Sequence, residues 1–326
     1  EIFMNERLKI LVTGATGFVG RTLCSNLEDL GHLVIRTSRV KTLDHTKLGY
    51  FITGDLSTPI NWKNALIGVD VVIHLAAKVH ILKDSSSDLL SGFTNINTTA
   101  SVALAEQAVA AGVKRFIFIS TIGVNGAETF GTPFRNSDCA KPHSLYAISK
   151  YNAETALKKI FKMTDSELVI IRPPMIYGIG APGNFSLISK FIRSNIPLPL
   201  RGISNRRSFV ALENFISLVT RCISHPSAAE KTLLVSDCCD LSTTEFVQIV
   251  GKLIEKKPKL FKLPQNTLKF FLHGLGKKMA YKSLFGDLEI NSEETCQVLS
   301  WSPPFKPFEF LNLKHENERK LSQGSK

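Results

Sequence analysis

Residues 8–20 read Leu8-Lys-Ile-Leu-Val-Thr13-Gly14-Ala-Thr16-Gly17-Phe18-Val19-Gly20. Leu8 to Val12 is a short apolar strand. The glycines then turn the chain into a helix whose apolar residues Phe18, Val19, Leu23 and Leu27 fall at near-helical spacing, and Gly31 ends it. A glycine turn between a strand and a helix is the context in which such a motif carries meaning. Gly14 permits the tight turn, Gly17 lets a pyrophosphate approach the backbone, and Gly20 lets helix pack closely on strand. The free N–H groups and partial positive charge of the helix start suit phosphate.

Working outward, His32 to Arg36, Val69 to Leu75, Arg115 to Ile119 and Leu168 to Ile171 read as further strands. Asn97 to Ala111 reads as an alanine-rich helix stopped by Gly112, and Pro173-Pro174 ends the last strand. Strands alternating with helices predict an α/β fold, a doubly wound parallel sheet with helices on both faces. Right-handed crossovers leave little topological freedom. After about residue 178 the chain becomes rich in glycine and proline. Ser242 to Ile254 reads as a capped helix, with Ser242 or Thr243 at its start and Glu245 in the first turn. We expect residues 4–178 plus about 206–237 to form the dinucleotide-binding domain. Residues 179–205 plus about 238–316 would form a smaller C-terminal α/β substrate-binding domain, and 317–326 a flexible tail. Met4 is the expected natural start.

The 326 residues, 44% hydrophobic and 21% charged, are those of a globular protein. No run of about 18 apolar residues exists, so no integral membrane contact is expected. The six cysteines show no C-x-x-C spacing, and Cys238 and Cys239 are adjacent, which suits neither a metal site nor an easy mutual disulfide. Reduced thiols and a cytoplasmic location follow. The net charge of +12 favours anionic partners, but its residues are dispersed and no nucleic-acid motif accompanies them, so no nucleic-acid partner is expected.

The chemistry lies further along. Tyr146 and Lys150, in Ser144-Leu-Tyr-Ala-Ile-Ser-Lys150, stand four apart and share a helix face. Alone, Tyr-x-x-x-Lys occurs often by chance; behind a dinucleotide turn it describes a proton donor held beside an ammonium. A cation and an oxidised nicotinamide both favour the phenolate, which brings Tyr146 into range for proton transfer near neutral pH. Thr121, closing the run Arg115-Phe-Ile-Phe-Ile-Ser-Thr121, is placed to hydrogen-bond the same substrate oxygen. The end of the second strand, Val34-Ile-Arg-Thr-Ser38-Arg39, lacks the acid that holds an NAD ribose, and a guanidinium suits a 2′-phosphate. NADP(H) is therefore the expected cofactor, with NAD(H) the alternative if Arg36 and Arg39 are surface residues. Asp55 is placed for the adenine amino group.

Together, Gly14-x-x-Gly17-x-x-Gly20, Gly54-Asp55-Leu56, His74-Leu75-Ala76-Ala77, Asn97, Ser120-Thr121, Tyr146-x-x-x-Lys150 and Arg172-Pro173-Pro174-x-x-Tyr-Gly178 resemble the extended short-chain dehydrogenase/reductase family, in its NAD-dependent epimerase/dehydratase branch. The resemblance covers nearly the whole chain and implies a Rossmann fold. It implies a cofactor held by Gly14, Thr16, Gly17, Phe18, Val19, Gly20, Ser38, Arg39, Asp55, Leu56, Leu75, Ala76, Ala77, Asn97, Ile119, Tyr146, Lys150 and Pro173. It also implies a UDP-sugar substrate met by Lys78, Thr121, Ile122, Tyr146, Pro174, Asn184 and Arg207, with catalysis by Thr121, Tyr146 and Lys150. No metal is implied, and a homodimer is the family habit.

Ile122-Gly-Val-Asn-Gly126 and Pro197-Leu-Pro-Leu200 are similar to a narrower group acting on UDP-linked amino sugars in surface-polysaccharide synthesis, labelled either 4-epimerases or UDP-4-keto-6-deoxy-N-acetylhexosamine 4-reductases. Many 4-epimerases have Val-Tyr-Gly where this chain has Val124-Asn125-Gly126, and they carry the missing acid. Both departures tilt the expectation to an NADPH-dependent 4-reductase, with the 4-epimerase using bound NAD as alternative. Thr121 is followed by Ile122-Gly123 rather than the Asp-Glu pair of dehydratases, which argues against 4,6-dehydration. A non-enzymatic dinucleotide sensor would have lost Tyr146 or Lys150.

Overall fold

The computed structural model describes residues 7–40, 49–79, 91–264, 267, 268, 270, 274 and 278–307. Met4 and the tail expected at 317–326 lie outside them. Seven parallel strands form the main sheet, in the order β3-β2-β1-β4-β5-β6-β9. They are β1 (Lys9–Thr13), β2 (Leu33–Ser38), β3 (Tyr50–Ile52), β4 (Val71–His74), β5 (Arg115–Ile119), β6 (Glu167–Arg172) and β9 (Thr232–Leu234). A second, two-stranded parallel sheet pairs β7 (Met175–Tyr177) with β8 (Phe209–Ala211). The expected doubly wound α/β sheet is what the chain forms, and its order reverses between β1 and β4, the crevice where ligands bind in such sheets.

Period-two alternation splits the sheet's side chains between two faces. Ile10, Val12, Ile73, Ile117 and Val169 point to one face, covered by α1 (Phe18–Asp29) and α6 (Leu212–Ser224). Leu11, Val72, Phe116, Phe118 and Ile170 point to the other, covered by α2 (Lys63–Leu66), α3 (Ala100–Ala110) and α4 (Leu145–Phe161). Gly31 and Gly112 stop α1 and α3 as expected, each with positive φ (88° and 76°) and a backbone N–H returned to the helix's last turn.

A third core lies past β7. It joins Tyr177, α5 (Asn184–Arg193), Leu198, Leu200, Phe209 and α7 (Thr243–Leu253). Phe209 and Phe246 stack at 4.2 Å, with Tyr177 edge-on to both. Ser242 and Glu245 close a reciprocal capping box at the start of α7, as their spacing predicts. Two late helices, α8 (Lys278–Phe285) and α9 (Glu293–Leu299), complete the described elements. Strands β3, β7 and β9 are not legible in the sequence because three residues are too few to show a period. The helix expected from Asn97 begins earlier, in a wide π turn over Thr94–Thr99.

Candidate active site

The glycine turn takes the shape its sequence demands. Gly14 has φ +68°, and a Cβ there would sit 2.9 Å from the Ala76 backbone nitrogen. A Cβ on Gly20 would fall 2.2 Å from the Gly14 carbonyl oxygen, so β1 and α1 meet at a distance only glycine allows. Helix α1 starts at Gly17 with no side-chain cap and no acid in its first turn. The N–H groups of Phe18, Val19 and Gly20 therefore lack intrahelical acceptors and remain for a phosphate. The Phe18 ring points elsewhere, against the position a Gly178 side chain would take, so its contribution to a cofactor is through the backbone.

A cleft of about 820 Å³ opens at this turn. Gly14, Thr16, Gly17, Ser38, Arg39, Asp55, Leu56, Leu75, Ala76 and Ala77 line it, together with Lys78, which the family resemblance had assigned to substrate. Arg36 is not among them: its guanidinium pairs with Glu28 and lies 5.9 Å from the Tyr50 ring centre. Arg39 is exposed at the cleft edge. Asp55 accepts the Ser57 N–H at 2.9 Å, which holds its carboxyl below the usual carboxylate range, with Lys78 and Arg39 adding to the effect.

The cleft floor is a buried polar chain. Thr13 Oγ1 lies 2.7 Å from His74 Nδ1, and His74 Nε2 lies 2.8 Å from Ser101 Oγ, which donates to the Asn97 carbonyl. Burial first, and Lys150 second, pull the imidazole down to about 3, so His74 is neutral. It supports the cleft from beneath, while Leu75 to Ala77 face it. Asn97, fully buried, accepts the Lys78 N–H (2.8 Å) and donates to the Lys78 carbonyl and to Ser149 Oγ, both at 3.0 Å. Its amide protons are thus taken by protein partners. Asn97 clips the cleft wall to α4 rather than offering that amide to a cofactor.

Helix α4 carries the proton-transfer residues. Ser144 caps its start by accepting the Ala147 N–H, and Tyr146 sits in the first turn, its ring centre 6.2 Å from that of Phe93. Burial pushes the phenol up to about 12. One turn later Lys150 is wholly buried, its Nζ 3.9 Å from the Phe118 ring centre and, among the described residues, without a hydrogen-bond partner. Burial pulls this amine down to about 7, opposed by Glu154. Glu154 pairs with Arg172 at 2.5 Å, and Arg172 also donates to Asn125 at 2.9 Å. The Asn125 of the departure noted above therefore has a structural partner. A buried amine with three unused N–H groups is costly unless a ligand completes it. The hydroxyls of a nicotinamide ribose fit that demand.

Thr121 follows β5 and accepts the Gly123 N–H at 3.1 Å, leaving its own hydroxyl proton to donate. The short 3₁₀ turn after it, Ile122–Val124, packs on the start of α4: a Cβ at Gly123 would lie 3.4 Å from both Ala147 Cβ and Thr121 Oγ1. Ile119 ends β5, and Pro173, which ends β6, accepts the Ile122 N–H. Ser120 Oγ is buried and, among the described residues, without a partner, a polar atom beside Thr121 to which the sequence reading assigned no role of its own.

Ile122, Pro174, Asn184 and Arg207, four of the residues assigned to substrate, line one cavity of about 370 Å³. Its other walls include Phe191, Leu200, Phe209 and Phe246, all apolar. Arg207 donates to the Gly286 carbonyl at 2.7 Å, and burial holds its guanidinium below the ordinary arginine value. Its neighbour Arg206 faces outward and pairs with Asp240 and Glu289. Among the described residues the cavity thus has one cation on an apolar wall, and Thr121 stands next to it through Ile122.

Residues 10–235 match the NAD dependent epimerase/dehydratase family. This chain belongs to that family. Among its relatives, the UDP-glucose 4-epimerase of Vibrio cholerae is 36% identical over 297 residues, 90% of either chain. Among solved structures, UDP-N-acetylglucosamine 4-epimerase from Bacillus cereus superposes with a TM-score of 0.75 at 19% identity, covering 94% of this chain and 98% of that one. UDP-glucuronic acid 4-epimerase from Bacillus cereus, in complex with NAD, gives 0.74 at 19% identity, covering 93% and 94%. The protein is an NAD(P)-dependent enzyme of the epimerase/dehydratase family, with the fold of these structures. Among the described residues, no helix is long and apolar enough to cross a membrane.

Proposed function

We propose that this protein is a 4-epimerase of a UDP-linked hexose that works with a retained NAD. The observation that carries the catalytic reading is the buried, unpartnered amine of Lys150 one helical turn from Tyr146. The 36% identity to the Vibrio cholerae enzyme, over nine-tenths of both chains, supports epimerisation over the reduction expected from sequence.

A bound nicotinamide would supply the reversible hydride acceptor for C4 of the sugar. Tyr146 takes the proton of the C4 hydroxyl and later gives one back to O4. Its phenol, raised in the bare pocket, needs a neighbouring positive charge to reach the phenolate, and Lys150 is the cation one turn away. Lys150 holds the ribose through its unused N–H groups. Thr121 donates to O4 and stabilises the charge that develops there. Asn184 and Arg207 hold the diphosphate. The apolar cavity walls offer few directional hydrogen bonds, so a keto sugar is free to turn its other face. A cofactor lobe and a substrate lobe at the boundaries given above, a homodimeric assembly and a place in surface-polysaccharide synthesis complete the proposal.

One observation favours a second reading. The end of β2 carries Ser38 and Arg39 and no acid, which suits NADPH and hence a UDP-4-keto-sugar 4-reductase. Identifying the dinucleotide released from purified protein, then assaying UDP-glucose and UDP-N-acetylglucosamine for C4 inversion, separates the two. Retained NAD with inversion supports the epimerase. An NADPH-preferring protein that consumes it with a UDP-4-keto sugar, and inverts neither hexose, overturns it.

A further inference from the structure

Cys238 and Cys296 are 58 residues apart in sequence, and their sulfurs are 4.0 Å apart in space. Cys238 follows Asp237 in the segment between β9 and α7; Cys296 lies in α9. We propose that these two thiols form a redox-active pair, a modification site that closes to a disulfide on exposure to an oxidised low-molecular-weight thiol.

Three observations bear on it. Cys238 is exposed and Cys296 half-exposed, so a small disulfide reaches the pair. Cys238 adopts φ +54°, a backbone conformation uncommon for a side-chain-bearing residue, which turns its sulfur towards α9. Its Sγ lies 3.5 Å from Ser292 Oγ, and its N–H donates to Ser236 Oγ at 3.2 Å. Hydrogen bonding from Cys296, then from Ser292, favours the thiolate of Cys238, the form that attacks disulfides. The remaining cysteines lack this setting. Cys24 and Cys222 are buried, and burial pushes both up to about 12. Cys139 and Cys239 are exposed, and burial and nearby carboxylates raise Cys239.

The chemistry balances with one external disulfide. The Cys238 thiolate attacks one of its sulfurs, forming a mixed disulfide and expelling one small thiolate. Cys296, deprotonated, attacks Cys238 Sγ and expels the second. Two protein thiols lose two electrons and two protons, and the external disulfide becomes two thiols. The sulfurs must close from 4.0 Å to about 2.05 Å, the order of movement a χ1 rotation supplies. The bond would pin the segment carrying Asp237, which accepts the Tyr177 hydroxyl (2.8 Å), the Ala211 N–H and the Asn214 amide, to α9. Oxidation would thus tie down the junction of the two sheets.

The test uses the full-length protein incubated with oxidised glutathione, followed by alkylation and peptide mapping. The expected product is a Cys238–Cys296 crosslink that reverses with dithiothreitol and raises the thermal midpoint by roughly 5 °C. Cys296→Ser is expected to trap glutathione on Cys238, and Cys239→Ser to leave the crosslink unchanged. Glutathione confined to Cys139 and Cys239, or a crosslink through Cys239 instead, would overturn the proposal.

Discussion

The glycine-turn cleft and the apolar cavity, proposed for cofactor and sugar nucleotide, are built by opposite means. The cleft is backbone and small residues, set by turns a few residues long: Gly14 to Gly20, Ser38-Arg39, Thr53 to Leu56, Leu75 to Ala77. The cavity gathers single side chains from Ile122 to Leu288, and most of its walls are apolar. A pyrophosphate is the same in every dinucleotide, so a local motif suffices to bind it. A sugar nucleotide has to be recognised by shape, and shape comes from packing.

Five substitutions would break or sharpen that contrast. The largest effect belongs to the proposed proton donor. Tyr146→Phe is expected to lower turnover by roughly 10²- to 10⁴-fold while dinucleotide binding stays intact, read by steady-state kinetics and cofactor titration. Near-normal turnover would remove Tyr146 from its role. Phe246→Ala comes next. Losing the ring stacked on Phe209 should cost about 3–5 kcal/mol in denaturant unfolding and weaken sugar-nucleotide binding, with the cleft's dinucleotide affinity little changed. An equal loss of dinucleotide affinity would show that the two regions fold as one.

Arg207→Met should raise KM for the sugar nucleotide about tenfold or more, from loss of charge-assisted hydrogen bonds, with kcat much less affected. If Arg206→Met, aimed outward, gave the same loss, the assignment of the anion site would be wrong. The smallest effect is a change of slope. The Lys150 amine is pulled down to about 7 in the folded chain from an ordinary 10.5. Between those values the unfolded chain binds the extra proton, so this group makes stability rise with pH across the window. Its penalty is fully present below pH 7. Cofactor-free Lys150→Met should lack that rise, visible as a flatter thermal midpoint against pH. Identical slopes in both proteins would mean that the amine is hydrated rather than buried.

The legible part of the site was the part written in short windows. Gly14 and Gly20 were read from spacing alone, and each turned out to sit where a Cβ cannot. Tyr146 and Lys150 share a helix face because residues four apart do so in any α-helix. The clamp on Lys78 was not legible, since the Asn97 side chain that holds its backbone N–H and carbonyl lies 19 residues away. The NADP(H) expectation rested on the missing acid and on Ser38 and Arg39 in its place, and the family match, to NAD dependent enzymes, does not support that preference.

By itself, then, the amino-acid sequence determined the doubly wound parallel sheet, the phosphate turn, the helix stops and caps, and the tyrosine–lysine pair. Each depends on hydrogen bonds and periodicities that close within a few residues. The tertiary structure alone decided that His74 is neutral beneath the cleft, that Lys150 is left without a hydrogen-bond partner among the described residues, and that Cys238 meets Cys296. Those outcomes depend on which distant side chains exclude water together, and no local window of sequence carries that information.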